Sequence, residues 1–489
     1  VDIILAGYNV EAELINRPGR RDDVPLTPET ISAAYARISR SSLDIPELRK
    51  EAREDVKKAR KSNQSIIFSM GHHSVAEHAV FNFDVIGVSR LALEEIEKFR
   101  LVSYTEKSQR YVTLEGDYLL PPGIDPSDSA TLQRFRETID LQNRFYKKAF
   151  ILLKDYLFAQ YPHMTEKKTD RNVLEGWAKE DARYILSLAT LGQVGITINA
   201  RNLEHLFRRF SLSSRQEVQT IGKKMFELVS GIAPSLILFP EPSRFETALK
   251  NSFSQAIPGR FPGHPPSKDL KILSYTPHAD DIILASFVSM YRSMDYEDAY
   301  REVEQMPPAE KRELFKNLFR TMEFFDHPPR EFEIPGVTFQ CVISASNFAQ
   351  LKRHRIATLL TGDYCIEYGN VLPPNIKTVG LEDEFNRIIE LTDETYGKLR
   401  DNYGKETAEY ILTNSHCRHV IMKMNLREIY HFIRLRADSH AQWDIRGLAL
   451  RFREEVEARM PLSSLLLCGK SDFIARYESI YGQKPQISI

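Results

Sequence analysis

Apolar and polar residues alternate at two distant places in this chain. Phe81, Phe83 and Val85 fall on one side of FNFDVIGVSRL, and Val337, Phe339 and Cys341 do the same in VTFQCVISASN. A period of two marks a strand with one buried face, so a strand is expected at each. Elsewhere the spacing becomes helical. Residues 133–157 and 311–325 read as helices. Leu426, Ile429, Ile433 and Leu435 recur at helical intervals, with Arg427, Arg434 and Arg436 bringing cations to the same helix. Six prolines fall within residues 239–268. Proline removes a backbone donor and opposes a helix or central strand, so this stretch reads as a linker or wrapping arm.

The two halves on either side of it repeat one another. GDYLLPPGI (116–124) echoes YGNVLPPNI (368–376), and NARNLEHLF (199–207) echoes NLREIYHFI (425–433). The strand runs precede them in the same order, which points to an internal duplication. The expected organisation is a repeat over 1–238, a linker over 239–268 and a second repeat over 269–489. Each repeat should be α+β, with helices packed on a small, mainly antiparallel sheet. The first carries extra residues around Thr165 to Leu174.

Charge and composition narrow the function. A net charge of -1 gives no global field to attract nucleic acid or acidic lipid. The longest apolar runs are too short to cross a bilayer, and acidic flanks make the N-terminal run a poor secretion signal. Cys341, Cys365, Cys417 and Cys468 form no CxxC pair and lack zinc-site spacing. Reduced thiols in a cytoplasmic protein are the expectation. HHSVAEH (72–78) places His73 and Glu77 at helical spacing but lacks the HEXXH pattern, so no metal is expected.

Three short stretches carry candidate chemistry. Arg353-His354-Arg355, preceded by Gln350, offers planar donor forks suited to a diphosphate or an anionic ring. In SYTEKSQRY (103–111), Glu106, Ser108 and Arg110 would share one face of an extended segment: a hydroxyl and a guanidinium to grip phosphate, and a carboxylate to accept from a ribose or a ring N–H. In RLRADSHAQWDIR (434–446), Arg436 and His440 would share a face if the helix continued.

Taken jointly and in this order, the stretches resemble the flavin-dependent thymidylate synthase family. Its hallmark is Arg-His-Arg followed by a run ending Ser-x-Arg-Tyr, then a helix bearing Asn-x-Arg and Leu-Arg-x-x-x-His-Ala-Gln. The resemblance spans nearly the whole chain, in two worn copies. The first has Lys98-Phe99-Arg100 but keeps Glu106, Ser108, Arg110 and Tyr111, with Phe210 and Ser214 at the positions of the family's late arginine and histidine. The second keeps Arg353-His354-Arg355, Asn425, Arg427, His431, Arg436 and His440, but has Thr361, Asp363 and Cys365 in the other run.

The resemblance implies reductive methylation of dUMP to dTMP. Methylenetetrahydrofolate and NADPH are the implied co-substrates and FAD the cofactor. It implies substrate binding by Glu106, Ser108, Arg110, Gln350, Arg353 and Arg436, with Arg436 and Ser108 as catalytic residues. It implies cofactor binding by His72, Ser74, Glu77, Asn199, Arg201, Arg353, His354, Arg355, Asn425, Arg427, His431 and His440. Each productive site would be composite, drawing on both repeats, and a homodimer would form a pseudo-tetramer. The reciprocal sites, with Asp363 and Cys365 set against Glu95 and Phe210, would be dead. Arg183 of the first repeat is matched by Glu409 in the second, which leaves open a different pyrimidine nucleotide or a non-catalytic flavin- or nucleotide-binding regulator.

Overall fold

The computed structural model describes residues 1–15, 26–110, 112, 114–256 and 267–486. Its strands are β1 (Asp2–Tyr8), β2 (Val80–Ser89), β3 (Val102–Glu106), β4 (Leu191–Asn199), β5 (Lys271–Tyr275), β6 (Gly336–Ser344), β7 (Thr358–Tyr364) and β8 (Cys417–Asn425). The helices that position the candidate residues are α1 (Arg90–Ile96), α2 (Ser129–Gln160), α3 (Lys168–Ala182), α4 (Ala200–Ser211), α5 (Gln216–Ser230), α6 (Ala345–Leu351), α7 (Glu382–Tyr403), α8 (Leu426–Arg436) and α9 (Trp443–Arg459).

The chain forms two compact units. One comprises residues 1–263 with 373–413, the other residues 264–372 with 414–489. In the first unit the sheet order is β1-β2-β4-β3, antiparallel throughout. Phe81, Phe83 and Val85 point into the core as their alternation predicts, against Leu203, Phe207 and Phe210 of α4 and Val218 and Ile221 of α5. The unit also holds α7, which packs on α2. Gln142 donates to Thr392 at 2.9 Å, and the rings of Phe145 and Phe385 lie 5.8 Å apart. The second repeat therefore lends its long helix to the unit that contains the first repeat's sheet.

The second unit repeats the topology as β5-β6-β8-β7, again antiparallel. Val337, Phe339 and Cys341 are buried with Ile429, Phe432 and Ile433 of α8 and Phe452 of α9. The fold is thus α+β in two tandem copies. Burial pushes the Cys341 and Cys417 thiols up to about 12 and that of Cys468 up to about 11. Thiols held that high stay protonated and unreactive near neutral pH.

Identical caps align the two copies. Ser89 and Ser344 end β2 and β6, and each accepts a backbone N–H of the following helix. Asn199 and Asn425 end β4 and β8 and do the same for α4 and α8. These side chains satisfy donors that a helix start leaves free, so they fix where each helix begins.

Two local expectations are corrected. The helix expected at 311–325 is Pro308–Phe319. The proline-rich stretch holds a helix, Arg244–Ala256, because its prolines cluster on either side and leave the middle free of them. Residues 257–266 of the expected linker lie outside the described residues, as does Tyr111. The extra residues near Thr165 lead into α3, where the second repeat has only the four-residue helix Lys405–Ala408.

Candidate functional site

The first unit gathers three arginines. Arg90 opens α1 and donates to Glu106 at 2.6 Å, with both side chains nearly excluded from solvent. Past Glu106 the chain leaves the sheet, so Ser108 and Arg110 do not share a strand face as expected. Instead Ser108 Oγ accepts the Arg110 N–H at 3.1 Å in a tight turn. A serine bonding two residues ahead stabilises such a turn in place of the ladder. The turned Arg110 guanidinium pairs with Glu180 near the end of α3. Arg183, buried just beyond α3, completes the group. Burial, and the nearby cations Arg110 and Arg90, lower its pKa below the usual arginine range. Two of the three guanidiniums already have carboxylate partners, Glu106 and Glu180, with which a phosphate taking bidentate bonds would compete.

The second unit holds the Arg-His-Arg turn directly after α6. Arg353 is exposed, Arg355 is half-buried, and His354 turns inward with 5% of its surface exposed. Its Nε2 lies 3.1 Å from Nε of Arg436, which also donates to the Gln350 carbonyl at 3.2 Å. The His354 ring packs edge-on against Phe432 at 4.9 Å and His431 at 5.7 Å. Gln350 Nε2 reaches Gln442 at 3.4 Å, while Gln350 Oε1 is buried with no partner among the described residues. Arg427 donates to Glu333 at 2.7 Å.

Helix α8 ends at Arg436, so Arg436 and His440 do not share a helix face as expected. His440 is exposed and held by Asp438 at 2.8 Å. Burial would raise the Asp438 carboxyl, but hydrogen bonds from His440 and Ser471 outweigh it and hold it at about 2.

The remaining expected cofactor residues lie in the first unit. His72 and Ser74 are exposed at the start of the short 3-10 helix His73–His78, Glu77 pairs with Arg201, and Asn199 caps α4. No group of three or more histidine, cysteine or acidic side chains gathers as metal ligands among the described residues.

The worn counterparts are filled from within. At the offsets that His354 and Arg436 keep from their capping Ser344 and Asn425, the first repeat has Phe99 and Phe210, packed together in its core. At the second repeat's broken run, Arg418 lies between the rings of Phe348 and Tyr364, 4.6 and 4.4 Å from their centroids. It also donates to the Gly362 carbonyl at 2.8 Å. Glu409 is buried and paired with Arg215, which also contacts Glu95 at 3.4 Å.

Arg90 and Glu180 were not singled out from the sequence. The one available signal was an arginine directly after a strand's capping serine, at a helix start with a buried face. Nothing in sequence spacing ties Arg90 to Glu106 or Arg110 to Glu180.

Comparison with known proteins now adds to the geometry. The profile of the family described as "Thymidylate synthase complementing protein" matches residues 24–235 and again residues 271–462. The UPF0159 protein Ta1429 of Thermoplasma acidophilum is 25% identical over 482 residues, covering 88% of this chain and 93% of its own. The flavin-dependent thymidylate synthase of Clostridium tetani is 30% identical over 220 residues, which is 44% of this chain and 83% of that protein. That of Geobacter sulfurreducens is 31% identical over 211 residues, 43% of this chain and 80% of its own length. The first relative therefore matches both repeats in one chain, and the other two match about one repeat's length.

Proposed function

Because this chain belongs to the thymidylate synthase complementing protein family, we propose that it methylates the uracil ring of dUMP with FAD as its cofactor. Methylenetetrahydrofolate supplies the carbon and NADPH the reducing equivalents. Two relatives named as flavin-dependent thymidylate synthases support the flavin and the reaction class.

One productive site draws on a first repeat for the Ser108–Arg110 turn, with Arg90 and Arg183 behind it, and on a second repeat for the Arg353–Arg355 turn and Arg436. Ser108 and Arg110 grip the phosphate of dUMP. Gln350 Oε1, a buried acceptor with no donor among the described residues, suits a pyrimidine N–H, since an unmet buried acceptor costs free energy until a donor arrives. Arg436 stabilises negative charge as it develops on the ring oxygen. Arg353, Arg355 and His440 offer the donors a flavin diphosphate needs, with Asn425, Arg427 and His431 beside them. His72, Ser74, Glu77, Asn199 and Arg201 provide the matching edge of the first repeat. FAD, when bound, supplies the hydride that completes the methyl group. Two chains, with four repeats, make the working assembly.

The observation that carries this reading is the complementary loss. The first repeat keeps the Ser108–Arg110 turn and fills its Arg-His-Arg neighbourhood with Phe99 and Phe210. The second keeps His354 and Arg436 and fills its broken run with Arg418. Random decay of a disused enzyme has no reason to spare opposite parts in the two copies.

The test is a preparation loaded with FAD. NADPH should bleach its yellow colour, and dUMP with methylenetetrahydrofolate should restore it with formation of dTMP. A preparation that binds flavin and nucleotide without turnover selects the second reading, a non-catalytic regulator. The reversal from Arg183 to the buried Glu409 favours that reading.

A further inference from the structure

The histidine of the Arg-His-Arg turn is almost wholly buried and faces the protein interior. It is 5% exposed, packed on Phe432, and its Nε2 meets Nε of Arg436 at 3.1 Å. A guanidinium Nε always bears hydrogen, so the imidazole must accept there, with its own proton on Nδ1.

We infer that His354 is a positioning residue for Arg436: its neutral Nε2 accepts from the guanidinium and, with the Gln350 carbonyl, fixes the direction in which Arg436 faces the nucleotide. The inference rests on the reading above, in which Arg436 faces the pyrimidine.

The chain contains its own control. Asn425, Arg427 and His431 are matched in the first repeat by Asn199, Arg201 and His205. The cations flanking His354 are matched by Lys98 and Arg100. The pair itself differs, and so do Gln350 and His440, whose counterparts are Glu95 and Ser214. Histidine and arginine are both replaced by phenylalanine, and the two rings pack on each other 6.0 Å apart. Three of the cofactor residues named above, Asn425, Arg427 and His431, keep their counterparts, and His354 does not. This one goes with Arg436.

The charged and titratable groups facing His354 are Arg436 and His431 on α8, with His327 behind His431 and Lys352, Arg353 and Arg355 adjacent in the chain. Burial first, and then Arg436 and His431, hold its pKa well below 6.5. Protonation would set one cation against another and break the bond. His354 should therefore add no titration of its own to nucleotide affinity in the pH range in which an ordinary histidine titrates.

The experiment uses the full chain loaded with FAD. His354→Phe should bind dUMP about ten-fold or more weakly, the effect of losing one charge-assisted hydrogen bond. Flavin absorbance ratio and urea midpoint should match wild type. His354→Gln, whose carboxamide oxygen accepts at similar reach, should recover most of the affinity. Loss of flavin in His354→Phe, or unchanged dUMP affinity, overturns the inference. Imidazole nitrogen NMR provides a readout independent of substrate. The His354 Nε2 should be unprotonated at pH 6, and Arg436→Leu should shift its signal and leave that of His205 in place. A proton on Nε2 overturns the pairing. Wild-type protein that binds no dUMP, yet shows the unprotonated, Arg436-coupled nitrogen, defeats the proposed reaction and leaves the pair intact.

Discussion

Phe99 and Phe210 meet at 63° between ring planes in the first repeat, at the positions that His354 and Arg436 hold in the second. An aromatic pair of this kind stabilises a core by area and by edge-to-face attraction. At these two positions the first repeat is core. Phe210→Ala should therefore lower folding stability by about 3–5 kcal/mol, the usual cost of emptying a buried aromatic position. Calorimetry should find dUMP and FAD affinities at wild-type values. A change in either affinity at intact stability would return Phe210 to the binding machinery.

Arg110 and Arg436 should each be indispensable to nucleotide binding. Removing a guanidinium that makes charge-assisted bonds to phosphate or to a developing anion should weaken dUMP by about a hundred-fold. Asp363→Ala should change little, because an aspartate repels the phosphate that the family's serine would bind. Mixing Arg110→Ala with Arg436→Ala chains tests where the two halves of a site come from. Activity regained on mixing means that sites form between chains. None regained, with each variant folded, means that both halves come from one chain.

Much of this was legible in the sequence. Alternation at Phe81 to Val85 and at Val337 to Cys341 marked the central strands, because one face of each is buried and the other is not. The paired motifs gave the duplication and the order of the residues. Turn geometry was not legible. Ser108 and Arg110 sit two apart, which is compatible with a strand, and that spacing does not show the turn in which Ser108 Oγ accepts the Arg110 N–H and the Ser108 carbonyl accepts the Val112 N–H. Ion pairs distant in sequence were equally hidden. Glu180 lies seventy residues from Arg110, and Glu409 lies in the other repeat from Arg215. The helix Arg244–Ala256 was obscured by counting prolines across a stretch instead of noting where they cluster.

Arg215 and Glu409 should be strongly coupled. Both side chains are almost excluded from water, at 9% and 1% exposure. Removing Glu409 takes from Arg215 its nearer counter-ion and leaves Glu95 at 3.4 Å, so Glu409→Gln should lower stability by about 3 kcal/mol, the low end of the cost of breaking a buried pair. Replacing both with leucine should cost far less than the two single changes together, because neither charge is then stranded. A double-mutant cycle in urea reads the coupling. Additive effects would show that the pair does not act as a unit.

Asp438 should make stability depend on pH on the acid side. Its carboxylate accepts from the His440 backbone at 2.9 Å, the His440 ring at 2.8 Å and the Ser471 backbone at 2.7 Å. These bonds hold its pKa at about 2, against 3.8 for an ordinary aspartate. A folded-state pKa below the unfolded one means that the stabilisation is complete above the unfolded value and is lost as pH falls through the folded value. Asp438→Asn should therefore be less stable than wild type by about 2 kcal/mol at pH 7. The gap should close between about pH 4 and pH 2, where wild type loses the same interaction. Urea midpoints at pH 7, 4 and 2.5 would follow it. A gap that stayed constant across that range would assign the loss to packing in place of charge. The same bonds orient His440, so the variant should also bind FAD more weakly at pH 7, and flavin absorbance after gel filtration would measure that loss.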